Sequence, residues 1–347
     1  MPIMAFKVSY TTLIKNPYVF EEDYVPPKLP SREEQLERIK KAMLPAFKNR
    51  WPENLLIYGP PGTGKTCLVK YAMEEFRKSC DKPIAYVNCW EQRSIYNILS
   101  NIIMQIGGFP SPRINTKIMI DCIKRKISEN SFILILDELD MLDEKNTLLY
   151  SFSDIGKTGI FAISNTNLWI SSLDKRVRSR FVFEPLYFSP YKVKDIVEIL
   201  KPRAEIGLVK GAINLELIEK IAELAQGDAR IAIQMLRKSA ENAELEGKRR
   251  ISEEDVEKAW ESFRKQRQSY LLSKLNRDQN ILYEIIEQNP GIESSEIYRK
   301  YEEKARKLGI KPIAPRTLRK YLRRLVEIGL IKEMSERGRK RKLRVLV

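Results

Sequence analysis

Through the first half of the chain, short apolar runs alternate with longer stretches that are apolar on one side only. Asn54 to Tyr58, Ile84 to Asn88, Phe132 to Leu136 and Gly159 to Ser164 are compact runs of strand length. Between them, Lys65 to Phe76, Ile95 to Ile106 and Thr116 to Ile127 repeat their apolar residues at helical spacing. Strands alternating with helices predict an α/β domain, a parallel, doubly wound sheet covered on both faces. The pattern changes after Pro190. Tyr191 to Ala204, Leu215 to Ala225, Ala229 to Leu245 and Glu253 to Phe263 all read as amphipathic helices, with Gly227-Asp228 and residues 247–252 as breaks and caps. Arg264 to Gln268 is read either as a linker or as a continuing helix. Beyond it come helices at Asn276 to Gln288, Ser294 to Lys307 and Arg316 to Glu327, a turn at Asn289-Pro290-Gly291, and two short strands around Arg337 to Arg341. That order is a winged helix-turn-helix. The expected organisation is a sheet domain over 1–190, an all-helical lid over 191–268 and a winged helix over 269–347.

Length and composition agree with several buried cores: 347 residues exceed one typical domain. No apolar run approaches the roughly 18 residues that span a bilayer, and Met1 to Thr12 lacks the pattern of a secretory signal. A cytoplasmic protein is expected. Cys67, Cys80, Cys89 and Cys122 are scattered and the chain contains no histidine, so a zinc site is not expected; the thiols are read as reduced and core-facing. Charge adds more. The net charge is +16, yet residues 264–347 hold 23 Lys and Arg against 10 Asp and Glu, a net of +13. So basic a block calls for a polyanion, nucleic acid first.

Gly59-Pro60-Pro61-Gly62-Thr63-Gly64-Lys65-Thr66 fits G-x-x-x-x-G-K-[ST] between an expected strand and an expected helix. Glycines let backbone N–H groups turn around a phosphate, and the helix N-terminus adds partial positive charge. Lys65 is assigned to the β- and γ-phosphates of ATP and Thr66 to Mg2+. The run Ile133 to Leu136 ends in Asp137-Glu138, about 70 residues later. Ligands bind beyond strand C-termini in such sheets, so Asp137 is expected to hold Mg2+ and Glu138 to orient or deprotonate the attacking water.

Gly-Pro-Pro-Gly-Thr-Gly-Lys-Thr together with Leu-Asp-Glu-Leu-Asp resembles the AAA+ ATPases. The resemblance implies further roles. Asn165, in Ile163-Ser164-Asn165-Thr166-Asn167, stands where such proteins carry a polar sensor for the γ-phosphate. Leu173-Asp174-Lys175-Arg176-Val177-Arg178-Ser179-Arg180-Phe181 resembles the arginine-finger segment. By that likeness Arg180, or failing it Arg176, would reach ATP on a neighbouring subunit. Gly227-Asp228-Ala229-Arg230 looks like the start of the lid helix that bears a second sensor, Arg230. Val25, Pro26 and Arg32, in the stretch Tyr24 to Glu33, and Tyr191 complete the implied nucleotide contacts. ATP or ADP with Mg2+ is the expected cofactor, and hydrolysis is expected to be slow.

Together the N-terminal segment, the Arg-Val-Arg-Ser-Arg run, the Gly-Asp-Ala-Arg lid and the basic winged helix resemble the archaeal Orc1/Cdc6 replication initiators, over roughly Asn16 to Val347. Ser31 replaces the histidine expected in that family's Leu-Pro-His-Arg. The resemblance implies an insertion helix touching DNA within Gly107 to Ile120, with Arg113 and Lys117 as contacts. In the Arg316 to Glu327 helix, Leu318, Tyr321, Leu322 and Leu325 form an apolar stripe. Arg316, Thr317, Arg319, Lys320, Arg323 and Arg324 are left outward for a major groove. Arg337, Gly338, Arg339, Lys340 and Arg341 form a wing. The expected function is ATP-regulated binding of double-stranded DNA at replication origins, as a monomer or assembling on DNA with other copies or a replicative helicase. An ATP-switched transcription regulator and a loader-type ATPase share the domain order and stay open.

Overall fold

The computed structural model describes residues 12–110, 114–334 and 342–345. The chain divides into two compact units, Met1–Glu257 and Lys258–Val347.

In the first unit five parallel strands, β1 (Leu55–Tyr58), β2 (Ile84–Asn88), β3 (Phe132–Asp137), β4 (Thr158–Ser164) and β5 (Glu184–Tyr187), lie in the order β2-β3-β4-β1-β5. Side chains alternate along a strand, so each strand feeds two cores. Leu55, Ile57, Ile133, Ile135, Phe161 and Ile163 pack under α1 (Glu33–Phe47) and α2 (Lys65–Ser79). Leu56, Ala85, Val87, Leu134, Leu136, Ile160 and Ala162 face the other way, under α3 (Ile95–Gln105), α4 (Thr116–Ile127), α5 (Lys145–Phe152) and α6 (Lys175–Arg180). Serine and asparagine caps start two of these helices: Ser94 accepts from the Asn97 N–H and Asn115 from the Ile118 N–H.

The chain leaves β1 for one edge of the sheet and β4 for the other, which opens a crevice beyond the strand C-termini. The apolar pattern does not predict strand β5. Glu184, Pro185 and Tyr187 are exposed, and an edge strand that tolerates proline has little hydrophobic signature. The stretch expected to hold an insertion helix, Gly107 to Ile120, includes residues 111–113, which lie outside the described residues. Among the described residues, 107–110 and 114–115 are not helical, and Lys117 sits on the first turn of α4, whose Met119, Ile123 and Ile127 are buried against the sheet.

The lid consists of α7 (Val193–Gly207), α8 (Leu215–Leu224) and α9 (Ala229–Leu245). A helix α10 (Glu253–Ser273) follows and runs through Arg264 to Gln268, so that basic stretch is helix rather than linker. Asp255 at its start is fully buried, accepting from the Ser252 N–H and hydroxyl and from Lys248.

The second unit contains α11 (Arg277–Gln288), α12 (Ser294–Lys307), α13 (Pro315–Glu327) and an antiparallel sheet of β6 (Ile292–Glu293), β7 (Ile331–Met334) and β8 (Lys342–Val345) in the order β6-β8-β7. Its core gathers Leu282, Ile286, Ile297, Tyr301, Leu318, Leu325 and Ile331. The Tyr301 hydroxyl donates to Asp278 at 2.7 Å, which satisfies the one polar atom that ring buries. No helix among the described residues is long and apolar enough to cross a membrane. Of the four cysteines only Cys89 is fully buried; Cys67, Cys80 and Cys122 are half-buried.

Candidate functional site

Three strand ends deliver the chemistry to one crevice. The loop Gly59 to Thr66 follows β1, Asp137 ends β3 with Glu138 next, and Asn165 follows β4; Lys65, Thr66, Asp137, Glu138 and Asn165 all line one cleft. Their hydrogen bonds form a chain. Thr66 Oγ1 donates to Asp137 Oδ2 at 2.7 Å, and the Glu138 N–H donates to Asp137 Oδ1 at 2.9 Å. Lys65 Nζ donates to the carbonyls of Gly59 and Pro60 at 2.7 and 2.9 Å and to Asn165 Oδ1 at 3.1 Å. Asn165 Nδ2 reaches Glu138 Oε2 at 3.5 Å. Glu138 holds a left-handed backbone with φ of 54°, a conformation rare outside glycine and asparagine and concentrated at functional sites.

Electrostatics follow from this crowding. Burial raises the Glu138 carboxyl above its usual range, and the negative charges of Asp137 and Asp140 push it further. Burial lowers Lys65, while Asp137, Glu138 and Asp140 act in the opposite sense.

The loop is held from behind as well as from the front. Thr63 is 1% exposed and donates to the Pro60 carbonyl. Gly62 has φ of +70°, and a Cβ there would fall 1.8 Å from Asp228 Oδ1, so the loop touches the lid through a position only glycine fits. The Ala229 N–H donates to the Gly62 carbonyl at 3.0 Å, and Asp228 caps α9 by accepting from the Arg230 and Ile231 N–H groups. Gly64, at the N-terminus of α2 with φ of +84°, has no room for a side chain beside the Tyr191 hydroxyl, 2.6 Å from where its Cβ would stand.

Arg32, expected at the nucleotide, stands elsewhere. It is 3% exposed, absent from the cleft lining, and its Nε donates to the Thr63 carbonyl at 3.1 Å. One Nη donates to the Ser189 carbonyl at 2.6 Å, and the guanidinium lies over the rings of Tyr191 at 4.1 Å and Phe188 at 5.2 Å. It braces the loop rather than facing the cleft. Ser31, beside it, donates from its hydroxyl to Asp195 Oδ1 at 2.7 Å, and the Lys192 N–H donates to Asp195 Oδ2 at 2.9 Å. Val25, Pro26, Tyr191 and Arg230 do line the cleft. Arg180 does not; it stacks at 5.2 Å over Tyr150 of α5 and donates to Asp154 Oδ1 at 2.5 Å, with 43% of its side chain exposed.

Several cleft residues carried no sequence signal. Tyr86 on β2 donates its hydroxyl to Asp137 Oδ2 at 2.8 Å, sharing that oxygen with Thr66. Arg203 on α7 is 8% exposed, has no ion-pair partner among the described residues and an Nε with no hydrogen bond, while one Nη donates to the Ile199 carbonyl of its own helix and the guanidinium lies over the Tyr24 ring at 5.4 Å. Burial lowers its pKa. A buried cation without a counter-charge in the wall of a cleft is a functional candidate by the cost of leaving it so.

A second surface stands on α13. Leu318, Leu322 and Leu325 turn inward, Tyr321 and Thr317 are half-buried, and Arg316, Arg319, Lys320, Arg323 and Arg324 are exposed. Arg324 lies 3.7 Å from Glu327. Lys117 is exposed on α4. Arg113, Arg337, Gly338, Arg339, Lys340 and Arg341 fall outside the described residues.

Three family models match consecutive parts of the chain: an AAA domain over residues 51–167, the Cdc6 AAA+ ATPase-type lid domain over 197–261, and the CDC6 C terminal winged helix domain over 264–347. Among curated relatives, "ORC1-type DNA replication protein 3" of Haloarcula marismortui is 31% identical over 310 residues, which covers 84% of this chain and 83% of that protein. "ORC1-type DNA replication protein" of Pyrococcus abyssi is 30% identical over 352 residues, covering 92% and 83%. Among solved structures, that of the Aeropyrum pernix ORC1 protein in complex with DNA superposes with a TM-score of 0.71 at 26% identity, over 96% of this chain and 94% of that one. The Aeropyrum pernix ORC2 protein, solved as ADPNP-ADP complexes, shares the fold with a TM-score of 0.73 at 22% identity, again over 96% and 94%.

Proposed function

The chain belongs to the ORC1-type, Cdc6 family of AAA+ DNA replication proteins, and on that footing we propose that it is an ATP-switched protein that grips duplex DNA at replication origins. The hydrogen-bonded chain Thr66–Asp137–Glu138 and Lys65–Asn165 in one cleft is the observation that carries the nucleotide half of the reading. It joins a phosphate cradle, a cation site and a candidate base within one set of contacts.

In this reading the backbone of Gly59 to Thr66 and the N-terminus of α2 bind the phosphates, and Lys65 exchanges its loop carbonyls for phosphate oxygens. A hard cation fits Thr66 and Asp137: both donors are oxygens, 2.7 Å apart, and Mg2+ is commonly held by one or two carboxylates completed by phosphates and water. Bound there, Mg2+ would neutralise charge on the phosphates. Glu138 takes a proton from the attacking water, and Asn165, placed between Lys65 and Glu138, orients that water. Arg230 reads the γ-phosphate from the lid. Arg180 acts on the ATP of a neighbouring copy once it leaves Asp154, so an isolated chain hydrolyses ATP slowly.

Two observations support the DNA reading: the Aeropyrum pernix ORC1 protein, a relative, is solved in complex with DNA, and the cations of α13 are exposed. Arg316, Arg319, Lys320, Arg323 and Arg324 would enter a major groove, Arg to guanine edges and Lys to phosphates, with Thr317 at the base of the face and the wing residues Arg337 to Arg341 at the backbone. Lys117 on α4 and Arg113 would be supplementary phosphate contacts. Chromatin occupancy of the protein mapped together with replication start sites tests the role. Coincidence with origins supports it, and occupancy confined to promoters refutes it.

A further inference from the structure

Ahead of the phosphate loop, a turn at Pro17–Phe20 leads into a strap whose residues Phe20 to Pro30 line the cleft. Three consecutive acids open it, and each is paired. Glu21 accepts from Arg237 Nη1 at 2.8 Å, Glu22 lies 3.3 Å from Arg230 Nε, and Asp23 accepts from Lys70 Nζ at 2.9 Å. Arg237 and Arg230 belong to the lid helix α9, and Lys70 to the phosphate-loop helix α2. Gln234, also on α9, donates to the Phe20 carbonyl at 3.1 Å. Residues 230, 234 and 237 are spaced to share one face of a helix, so α9 meets the strap along a single edge.

Glu22 is the unusual member. Its partner is the arginine assigned to the γ-phosphate; both residues line the cleft, and both side chains are more than half exposed, at 65% for Glu22 and 60% for Arg230. The outer two pairs fasten the strap to both helices without involving Arg230. We propose that Glu22 is a specificity-determining residue that sets the preference for ATP over ADP by competing with the γ-phosphate for Arg230. This rests on the reading of Arg230 as a γ-phosphate contact. With a diphosphate in the cleft, Glu22 keeps the guanidinium. With a triphosphate, the stronger anion takes it and Glu22 is released to water, so part of the γ-phosphate's attraction is used to displace the carboxylate.

The test is the ratio of ADP to ATP dissociation constants, measured by competition against a fluorescent nucleotide with Mg2+, for the full-length wild type, Glu22→Gln, Arg230→Ala and the double variant. Glutamine keeps the shape and removes the competing charge. An exposed ion pair of this kind corresponds to an effect of about 2- to 5-fold, so E22Q should raise the preference for ATP by about that factor. Salt screening should shrink the gain between 50 and 500 mM. R230A should lower the preference, and E22Q should add nothing in the R230A background. If E22Q tightens ATP and ADP equally, or tightens ATP as much without Arg230, Glu22 acts only through general repulsion and the inference is overturned. If R230A leaves the ratio unchanged, the assignment of Arg230 fails, and the inference falls with it. Melting temperature separates these outcomes from simple loosening of the strap, because a structural role would lower it without moving the ratio.

Discussion

Replacing Arg32 by alanine should separate the phosphate loop from its support. The side chain is 3% exposed and gives two charge-assisted hydrogen bonds to carbonyls, Thr63 O at 3.1 Å and Ser189 O at 2.6 Å, while its plane covers Tyr191. Each such bond is worth about 1.5–3 kcal/mol, and both carbonyls would be left to find new donors. Removing a buried cation also returns its desolvation penalty, so the net loss should be about 2–4 kcal/mol. For a unit of this size a loss of 1 kcal/mol lowers the melting temperature by about 2–4 °C, which predicts a fall of about 5–15 °C. Arg32→Lys keeps the charge but not the planar fork and should fall between. Differential scanning fluorimetry gives the melting temperature, and nucleotide titration on the folded variant should show affinity weakened as well, because Thr63 no longer holds its place. A variant that melts within about 2 °C of wild type, the low end of the shift expected for 1 kcal/mol, and binds nucleotide normally would refute the role of Arg32 as a brace.

Other expectations follow from the same geometry. Gly62→Ala puts a Cβ 1.8 Å from Asp228 Oδ1 at φ of +70°, so it should uncouple loop from lid and weaken nucleotide binding more than about tenfold; unchanged titration curves would contradict the close approach. Arg203→Met removes a buried cation lacking an anion, so the melting temperature should hold or rise while nucleotide affinity falls; the reverse pattern would make Arg203 purely structural. Asp195 is raised by burial but brought below its usual 3.8 by the Ser31 hydroxyl and the Lys192 N–H, which prevail. Its folded pKa is therefore the lower one, and the stability it adds is complete above 3.8 and lost as pH falls through the lowered value. The melting-temperature gap between wild type and Asp195→Asn should be full at about pH 5 to 7 and close below about pH 4; a gap constant with pH would exclude the carboxylate as its source.

What could be read along the chain was whatever is local. The phosphate loop lies between a strand and a helix within a dozen residues, and Asp137-Glu138 ends a wholly buried strand, so motif and periodicity agreed. Helix α12 announced itself through its amphipathic spacing, and α4 likewise. Strand β5 could not be read in this way because its pairing with β1 compensates for exposed side chains and a proline. Arg32 binds carbonyls 31 and 157 residues away, Tyr86 meets Asp137 across 51, and Glu21 meets Arg237 across 216. No local pattern encodes such pairs, and each bears on how the cleft is held or tuned. Arg180 was legible as one of several arginines in a short segment, but its capture by Asp154 and Tyr150 was not.

If a nucleotide switch governs a grip on DNA, duplex binding by the full-length chain should show it, followed by fluorescence anisotropy from about 50 to 200 mM salt with ATP and with ADP. Roughly six to ten phosphate contacts predict a fall in affinity of about 10³ to 10⁵-fold over that range. Replacing Arg319 and Arg323 by alanine should flatten the log–log slope by about one for each phosphate those side chains neutralise. ATP and ADP should give different affinities in the wild type and the same affinity in Lys65→Ala. Binding that ignores salt, keeps its slope without those arginines and is indifferent to nucleotide would mean that no such switch or grip exists.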